Sequence, residues 1–204
     1  MNKAKSLYIH IPFCNNICFY CDFCKYIYKE DIASKYISNL IEDLSKYKSF
    51  LFETIYIGGG TPSSLKLEQI EPLLKVLKSL LNTDTSYEFT IECNIDSIEE
   101  SKLNLYKKYG VNRLSIGIQT FNEKILKKLN INHTKKQIYE KIELVKRYFS
   151  NFNLDLIYGI PFSSFFNVKK DLKKLLKINP THISCYSLII EDKTPLKIKG
   201  VKEL

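Results

Sequence analysis

Leu7-Tyr-Ile-His-Ile-Pro-Phe-Cys14-Asn-Asn-Ile-Cys18-Phe-Tyr-Cys21 joins a short β-branched and aromatic run to a loop dense in cysteine. Leu7 to Pro12 reads as a strand by composition and length. The same kind of run recurs at Glu53 to Ile57, Glu88 to Glu92, Arg113 to Ile118, Asn153 to Tyr158 and His182 to Ile189. Between these runs apolar residues fall at helical spacing, as at Ile37, Leu40, Ile41 and Leu44 and again at Ile70, Leu73, Leu74 and Leu77. Strand then helix, repeated, is the pattern of parallel βα units. Six units are fewer than the eight that close a barrel. The expected fold is therefore α/β, a partial, six-stranded parallel βα barrel, with residues 1–204 as one domain. Ligands of such sheets bind beyond the C-terminal strand ends, so the loops after Pro12, Ile57, Asn94, Ile118, Tyr158 and Ile189 are expected to line the site.

Punctuation supports that division. Ser97 with Glu100, and Thr134 with Gln137, read as capping boxes, and Gly110 stands where a C-terminal glycine belongs. Pro180 closes the helix that begins near Phe165, and Pro72 is expected in the first turn of its own helix.

Composition narrows the function classes. The 204 residues carry 31 basic and 22 acidic side chains, a net charge of +9. Nearly all the basic residues are Lys, and the pairs Lys107-Lys108, Lys127-Lys128, Lys135-Lys136 and Lys173-Lys174 fall on predicted helices, where they read as solvated faces. No zinc-finger or aromatic RNA-binding signature accompanies the charge, so no nucleic-acid partner is expected. No stretch reaches the roughly 18 apolar residues of a membrane span, and the first ten residues lack a signal peptide's apolar region, so the expectation is a cytoplasmic protein with no integral membrane segment.

Six cysteines without a secretory signal read as reduced thiols, and four of them lie between positions 14 and 24. Cys14, Cys18 and Cys21 are spaced C-x-x-x-C-x-x-C. Three thiolates on one tight loop suit three corners of a [4Fe-4S] cubane, leaving the fourth iron to a non-protein ligand. Zinc is the competing reading; it wants four closed ligands, and Cys24 or His10 would have to complete the set. Asn15, Asn16 and Asp22 mark the loop as polar rather than as packed core. Gly58-Gly59-Gly60 follows the second strand in a chain with only seven glycines, and allows close backbone approach to a ligand. Glu92 and Gln119 sit at strand ends, polar after apolar runs.

These motifs in order, Tyr8-Ile-His-Ile-Pro-Phe-Cys14, Tyr20-Cys21-Asp-Phe, Tyr56-Ile-Gly-Gly-Gly-Thr-Pro62, Arg113-Leu-Ser-Ile-Gly-Ile-Gln119 and Asp155-Leu-Ile-Tyr-Gly-Ile-Pro161, resemble those of the radical S-adenosylmethionine (SAM) superfamily. Within it they look like the oxygen-independent coproporphyrinogen III oxidase family and its heme-chaperone branch, HemW. The resemblance implies a [4Fe-4S] cluster on Cys14, Cys18 and Cys21 and SAM contacts from Tyr8, Tyr20, Gly59, Gly60, Thr61, Glu92, Gln119 and Asp155. Phe23 stands where the oxidase carries a further Cys, which points to the chaperone branch. Ile131 stands where the family places an Arg that pairs with the SAM carboxylate, and His133 matches the family's Arg-x-His pattern. The chain ends at Leu204, before the family's C-terminal domain and its His-Asn-x-x-Tyr-Trp motif, so the expectation is a radical SAM core without that domain. Only His10, His133 and His182 offer an imidazole to heme. The implied partners are an electron donor protein, heme or a heme-receiving protein, and a separate chain supplying the missing domain. The alternatives are oxidase-type chemistry, a cluster protein that does not cleave SAM, and a non-catalytic remnant.

Overall fold

A computed structural model describes residues 4–202. The strands are β1 (Ser6–Ile11), β2 (Phe13–Cys14), β3 (Tyr26–Ile27), β4 (Thr54–Gly59), β5 (Glu88–Asn94), β6 (Arg113–Gln119), β7 (Phe152–Tyr158) and β8 (His182–Ser187). The helices are α1 (Glu30–Leu44), α2 (Leu67–Ser79), α3 (Glu100–Lys108), α4 (Glu123–Lys128), α5 (Lys135–Tyr148), α6 (Phe165–Ile178) and α7 (Pro195–Ile198). Six strands form one parallel sheet in the order β1-β4-β5-β6-β7-β8, so neighbours in space are neighbours in the chain's βα series. The expected fold class holds. Strand ends move by one or two residues: β4 runs on to Gly59, and β8 stops at Ser187 rather than Ile189.

Alternation along each strand separates two chemistries. Ile9, Ile11, Ile55, Ile57, Phe89, Ile91, Leu114, Ile116, Ile118, Leu154 and Leu156 are buried and join Ile70, Leu73, Leu74 and Leu77 of α2 and Ile138, Ile142 and Val145 of α5 in one core. The intervening positions carry Tyr8, His10, Tyr56, Glu92, Arg113, Ser115, Asn153, Asp155, His182 and Ser184 on the other face. The sheet thus offers a greasy surface to its helices and a polar one to a cleft.

Two helix expectations are corrected. Pro72 lies in the second turn of α2 rather than the first, and the buried side chains on either side of it, Ile70, Leu73, Leu74 and Leu77, hold the helix through the missing N–H. Ser97 does not cap α3: it belongs to a 3-10 turn, Ile95–Ser97, and its hydroxyl bonds to Asn94 O (2.9 Å) and Ser63 Oγ (2.5 Å) while α3 begins three residues later. Thr134 and Gln137 do form a capping box at α5, Gly110 follows α3 with φ 87°, and α6 ends before Pro180 on Asn179, which is left-handed at φ 57°.

Tyr106 of α3 is buried with a hydroxyl that has no hydrogen-bond partner. Removing an unsatisfied hydroxyl relieves its desolvation cost. Tyr106→Phe is expected to be about 0.5–1 kcal/mol more stable in urea unfolding; a less stable variant would mean that the hydroxyl is satisfied in solution.

Candidate functional site

The cysteine loop is shaped by the backbone before any ligand enters. Its base is closed by the short parallel pair β2–β3 and by Tyr26 N–H to Pro12 O (2.6 Å) and Tyr28 N–H to Cys14 O (2.9 Å). Cys14 is buried, Cys18 and Cys21 are half-buried, and Cys24 is exposed. Burial pushes the Cys14 thiol up and the Cys18 thiol up to about 12, and the closeness of the other cysteines adds to both shifts. Lys25, whose ammonium donates to Cys21 O (2.5 Å), acts in the opposite direction on both thiols.

The glycine loop lies against this first cysteine. Gly60 N–H donates to Ile11 O (2.8 Å) and Thr61 N–H to Phe13 O (2.8 Å), which clips the loop after β4 onto the start of the cysteine loop. A Cβ on Gly60 would stand 2.9 Å from both Cys14 Sγ and Phe13 O, a distance that no real side chain tolerates. Thr61 Oγ1 donates to Cys14 Sγ (3.5 Å) and accepts from Asn94 Nδ2 (3.1 Å), so the loops after β1, β4 and β5 are joined at one point.

Beyond that point opens a cleft of about 770 Å³ along the polar face of the sheet. Cys14, Cys18, Cys21, Tyr20, Gly59, Gly60, Thr61, Glu92, Gln119 and Asp155 all line it. Glu92 accepts from Tyr56 Oη (2.7 Å) and from Gly59 N–H (3.1 Å), yet burial still raises its pKa above the ordinary carboxylate value. Asp155 is raised by burial too, against the hydrogen bond from Asn153 Nδ2 (2.6 Å). Arg113 lies at the foot of the cleft, where Nη2 donates to His182 Nδ1 (2.8 Å) and so leaves the imidazole proton on Nε2. Gln119 is left-handed at φ 57°, beside a register shift between β6 and β7, and its side chain folds back to within 2.6 Å of where Gly117 would carry a Cβ.

Ten of the eleven residues singled out in the sequence therefore share one cleft. Tyr8 stands apart: it is 56% exposed, stacks on Tyr56 (6.1 Å) and donates to His10 Nδ1 (3.1 Å), so it borders the ring that holds Glu92. Ile131 is buried on the wall of an adjoining cavity of about 60 Å³, which shares Asn16, Cys18, Thr61 and Asn94 with the cleft and also holds His133. His133 is buried there with Nε2 unpartnered; burial lowers its pKa, and Asp96, 3.8 Å from Nδ1, opposes the shift. Sequence reasoning missed Tyr56, Asn94, Ser115, Asn153 and Tyr186 as cleft residues. All five lie at alternate strand positions that share a face with Glu92 and Asp155, a signal that the period of two already carried.

Residues 8–175 match the family model described as the radical SAM superfamily. The chain belongs to that superfamily. Among its relatives, the heme chaperone HemW of Buchnera aphidicola subsp. Schizaphis graminum is 44% identical over 199 residues, covering 95% of this chain and 53% of that protein. The heme chaperone HemW of Lactococcus lactis is 40% identical, with 95% and 52% covered. The solved structure of coproporphyrinogen III oxidase (HemN) from Escherichia coli, a radical SAM enzyme, superposes with a TM-score of 0.88 at 27% identity, covering 98% of this chain and 48% of that one. The chain spans about half the length of the curated relatives it matches. Membership in the radical SAM superfamily implies a [4Fe-4S] cluster and SAM.

The donor set fits both groups. Among the described residues no three Cys, His, Asp or Glu side chains converge as the shell of a single ion. A cubane asks for something else, since each thiolate takes a different iron, and three thiols spread around one loop meet that demand. Gly60, which carries no Cβ, leaves Cys14 Sγ uncrowded by the neighbouring loop. A cleft of this volume lined by the carboxyl groups of Glu92 and Asp155 suits a small polar cation-bearing ligand.

The raised carboxyls give the ligand-free protein a pH signature. Where the folded pKa exceeds the unfolded value, the folded state binds the extra proton, and stability falls as pH rises from about 4.3 through the folded pKa. Thermal unfolding of the ligand-free protein between about pH 4 and pH 8 is expected to show that decline, and Glu92→Gln is expected to flatten it. An unchanged slope in Glu92→Gln would assign the effect to Asp155.

Proposed function

We propose that this chain is the cluster- and SAM-binding part of a HemW-type heme chaperone. The observation that supports it most directly is the meeting of Cys14, Gly60 and Thr61 at the mouth of a carboxyl-lined cleft, in a chain 36–44% identical to HemW proteins. Cys14, Cys18 and Cys21 would each hold one iron. Gly59 and Gly60 offer backbone groups at close range, Glu92 and Asp155 offer carboxylates to the ammonium and hydroxyl groups of SAM, and Tyr20, Thr61 and Gln119 close the wall. Tyr8 acts through Tyr56, which fixes Glu92. When bound, the cluster and SAM supply one-electron reductive chemistry at the sulfonium. The protein's part is to orient the ligand, to keep the thiols from solvent and to set the charge of the cleft.

Phe23 supports the chaperone reading over the oxidase: it lines the cleft, 71% exposed, where the oxidase pattern has a further cysteine. The proposed partners follow the same reading: an electron donor, and heme or a heme-receiving protein. A second reading, a cluster protein that binds SAM without cleaving it, is favoured by Ile131, which can make no ion pair with the SAM carboxylate.

Anaerobic reconstitution tests the assignment. Iron and sulfide near four per chain are expected for the wild type and for Cys24→Ser, and loss of the cluster for Ser at Cys14, Cys18 or Cys21. One zinc and no iron would overturn it. Formation of 5′-deoxyadenosine on reduction separates a cleaving protein from one that only binds. Ile131→Arg is expected to tighten SAM binding by about one to two decades, the effect of roughly 1.5–3 kcal/mol from a charged hydrogen bond. Equal or weaker affinity by calorimetry would mean that another group already holds the carboxylate.

A further inference from the structure

The turn after α4 carries an unusual residue. Asn130 is left-handed at φ 59°. Its N–H donates to Lys127 O (3.1 Å) and the next N–H, of Ile131, to Leu126 O (2.9 Å), which is the double bond of a Schellman helix ending. Glycine is the usual occupant of that position, because it adopts a positive φ without strain. Asparagine takes the same conformation less readily, as Asn179 does at the end of α6, so helix termination alone does not decide between the two.

The side chain supplies the reason. Asn130 Nδ2 donates to Asn16 Oδ1 (3.0 Å) and to Ile17 O (2.9 Å), and Asn16 Nδ2 donates back to Asn130 O. Beside this reciprocal pair Phe19 N–H donates to Leu129 O (2.9 Å). Residues 16 to 19, which run from between the first two cysteines to just after the second, are thus tied to a turn that bonds Asn16 across 114 positions of the chain. On the opposite side Leu196 N–H donates to Phe19 O (3.1 Å), and Lys199 stands 3.6 Å over the Phe19 ring. The loop's base is closed by β2 and β3, and these long-range contacts tie its tip to the rest of the molecule.

We propose that Asn130 is a positioning residue for the cluster, holding Cys18 in place by clamping the backbone in front of it. The inference rests on the assignment of Cys14, Cys18 and Cys21 as cluster ligands. Clamping orders the loop ahead of binding, so less conformational freedom is lost when the thiolates take up iron, and a thiolate that lets go is returned to the same position.

Asn130→Gly separates the two roles, since it keeps or improves the helix ending and deletes the two side-chain bonds of the clamp, to Asn16 Oδ1 and Ile17 O. The ligand-free variant is expected to unfold within a few degrees of the wild type. Amide exchange at residues 16–19 is expected to rise, and the reconstituted cluster to bleach under a chelator roughly five- to tenfold faster than in the wild type, the loss of one or two hydrogen bonds. Asn16→Ala, which leaves α4 untouched, should show an acceleration of similar size, and the double variant, which also loses the bond that each single variant keeps, should bleach faster than either but by less than the product of the two effects. A cluster lifetime in Asn130→Gly or Asn16→Ala equal to that of the wild type overturns the proposal. Failure of the wild type itself to take up iron and sulfide overturns the ligand assignment beneath it, and with it this role for Asn130.

Discussion

Contact between Cys14 and Gly60 is the constraint around which the site is arranged. It follows from topology: β1 and β4 are parallel neighbours, with Ile11 opposite Gly59, so the loops that leave them emerge side by side. Any side chain on residue 60 would occupy the position of the Cys14 sulfur or of the Phe13 carbonyl. With the glycine in place, two backbone bonds bring residues 60 and 61 down onto residues 11 and 13. From there polar contacts run outward, from Cys14 to Thr61, to Asn94 and to Ser63, whose carbonyl accepts from the buried ammonium of Lys102 (2.7 Å). Three loops are joined this way without an apolar core of their own, and they rest on the apolar one beneath the sheet.

That dependence explains which features the sequence shows. The six strands are visible because each is a short apolar run between helical patterns, and the cysteine spacing is visible because Cys14, Cys18 and Cys21 lie within one loop. Thr134 and Gln137 form their capping box because nothing else competes for either side chain. Ser97 and Glu100 match the same pattern and fail, because Ser63 and the Asn94 carbonyl take the serine hydroxyl. Pro72 was placed by a local rule and is tolerated by burial that is not local. The Asn16–Asn130 pair leaves no trace in either segment alone: each is a polar residue in a polar stretch, and only the fold brings them together. What escapes sequence reading here is long-range polar pairing, while periodicity and ligand spacing survive.

Electrostatics of the cleft ties the cost of the ligand-free state to the choice of ligand. Glu92 and Asp155 are held back from ionisation by burial, and their hydrogen bonds from Tyr56, Gly59 and Asn153 offset only part of that. A ligand bearing positive charge favours the ionised carboxylates, so its binding is linked to proton release and strengthens as pH rises through their raised pKa values. An uncharged analogue of equal shape would enter without that gain, and discrimination between the two comes from the same burial that destabilises the ligand-free fold. Ile131 adds no cation on the far wall, and the nearest fixed positive charge in the cleft is Arg113 at its foot, already engaged with His182. The charge of the cleft consequently favours the cationic end of a ligand over an anionic one.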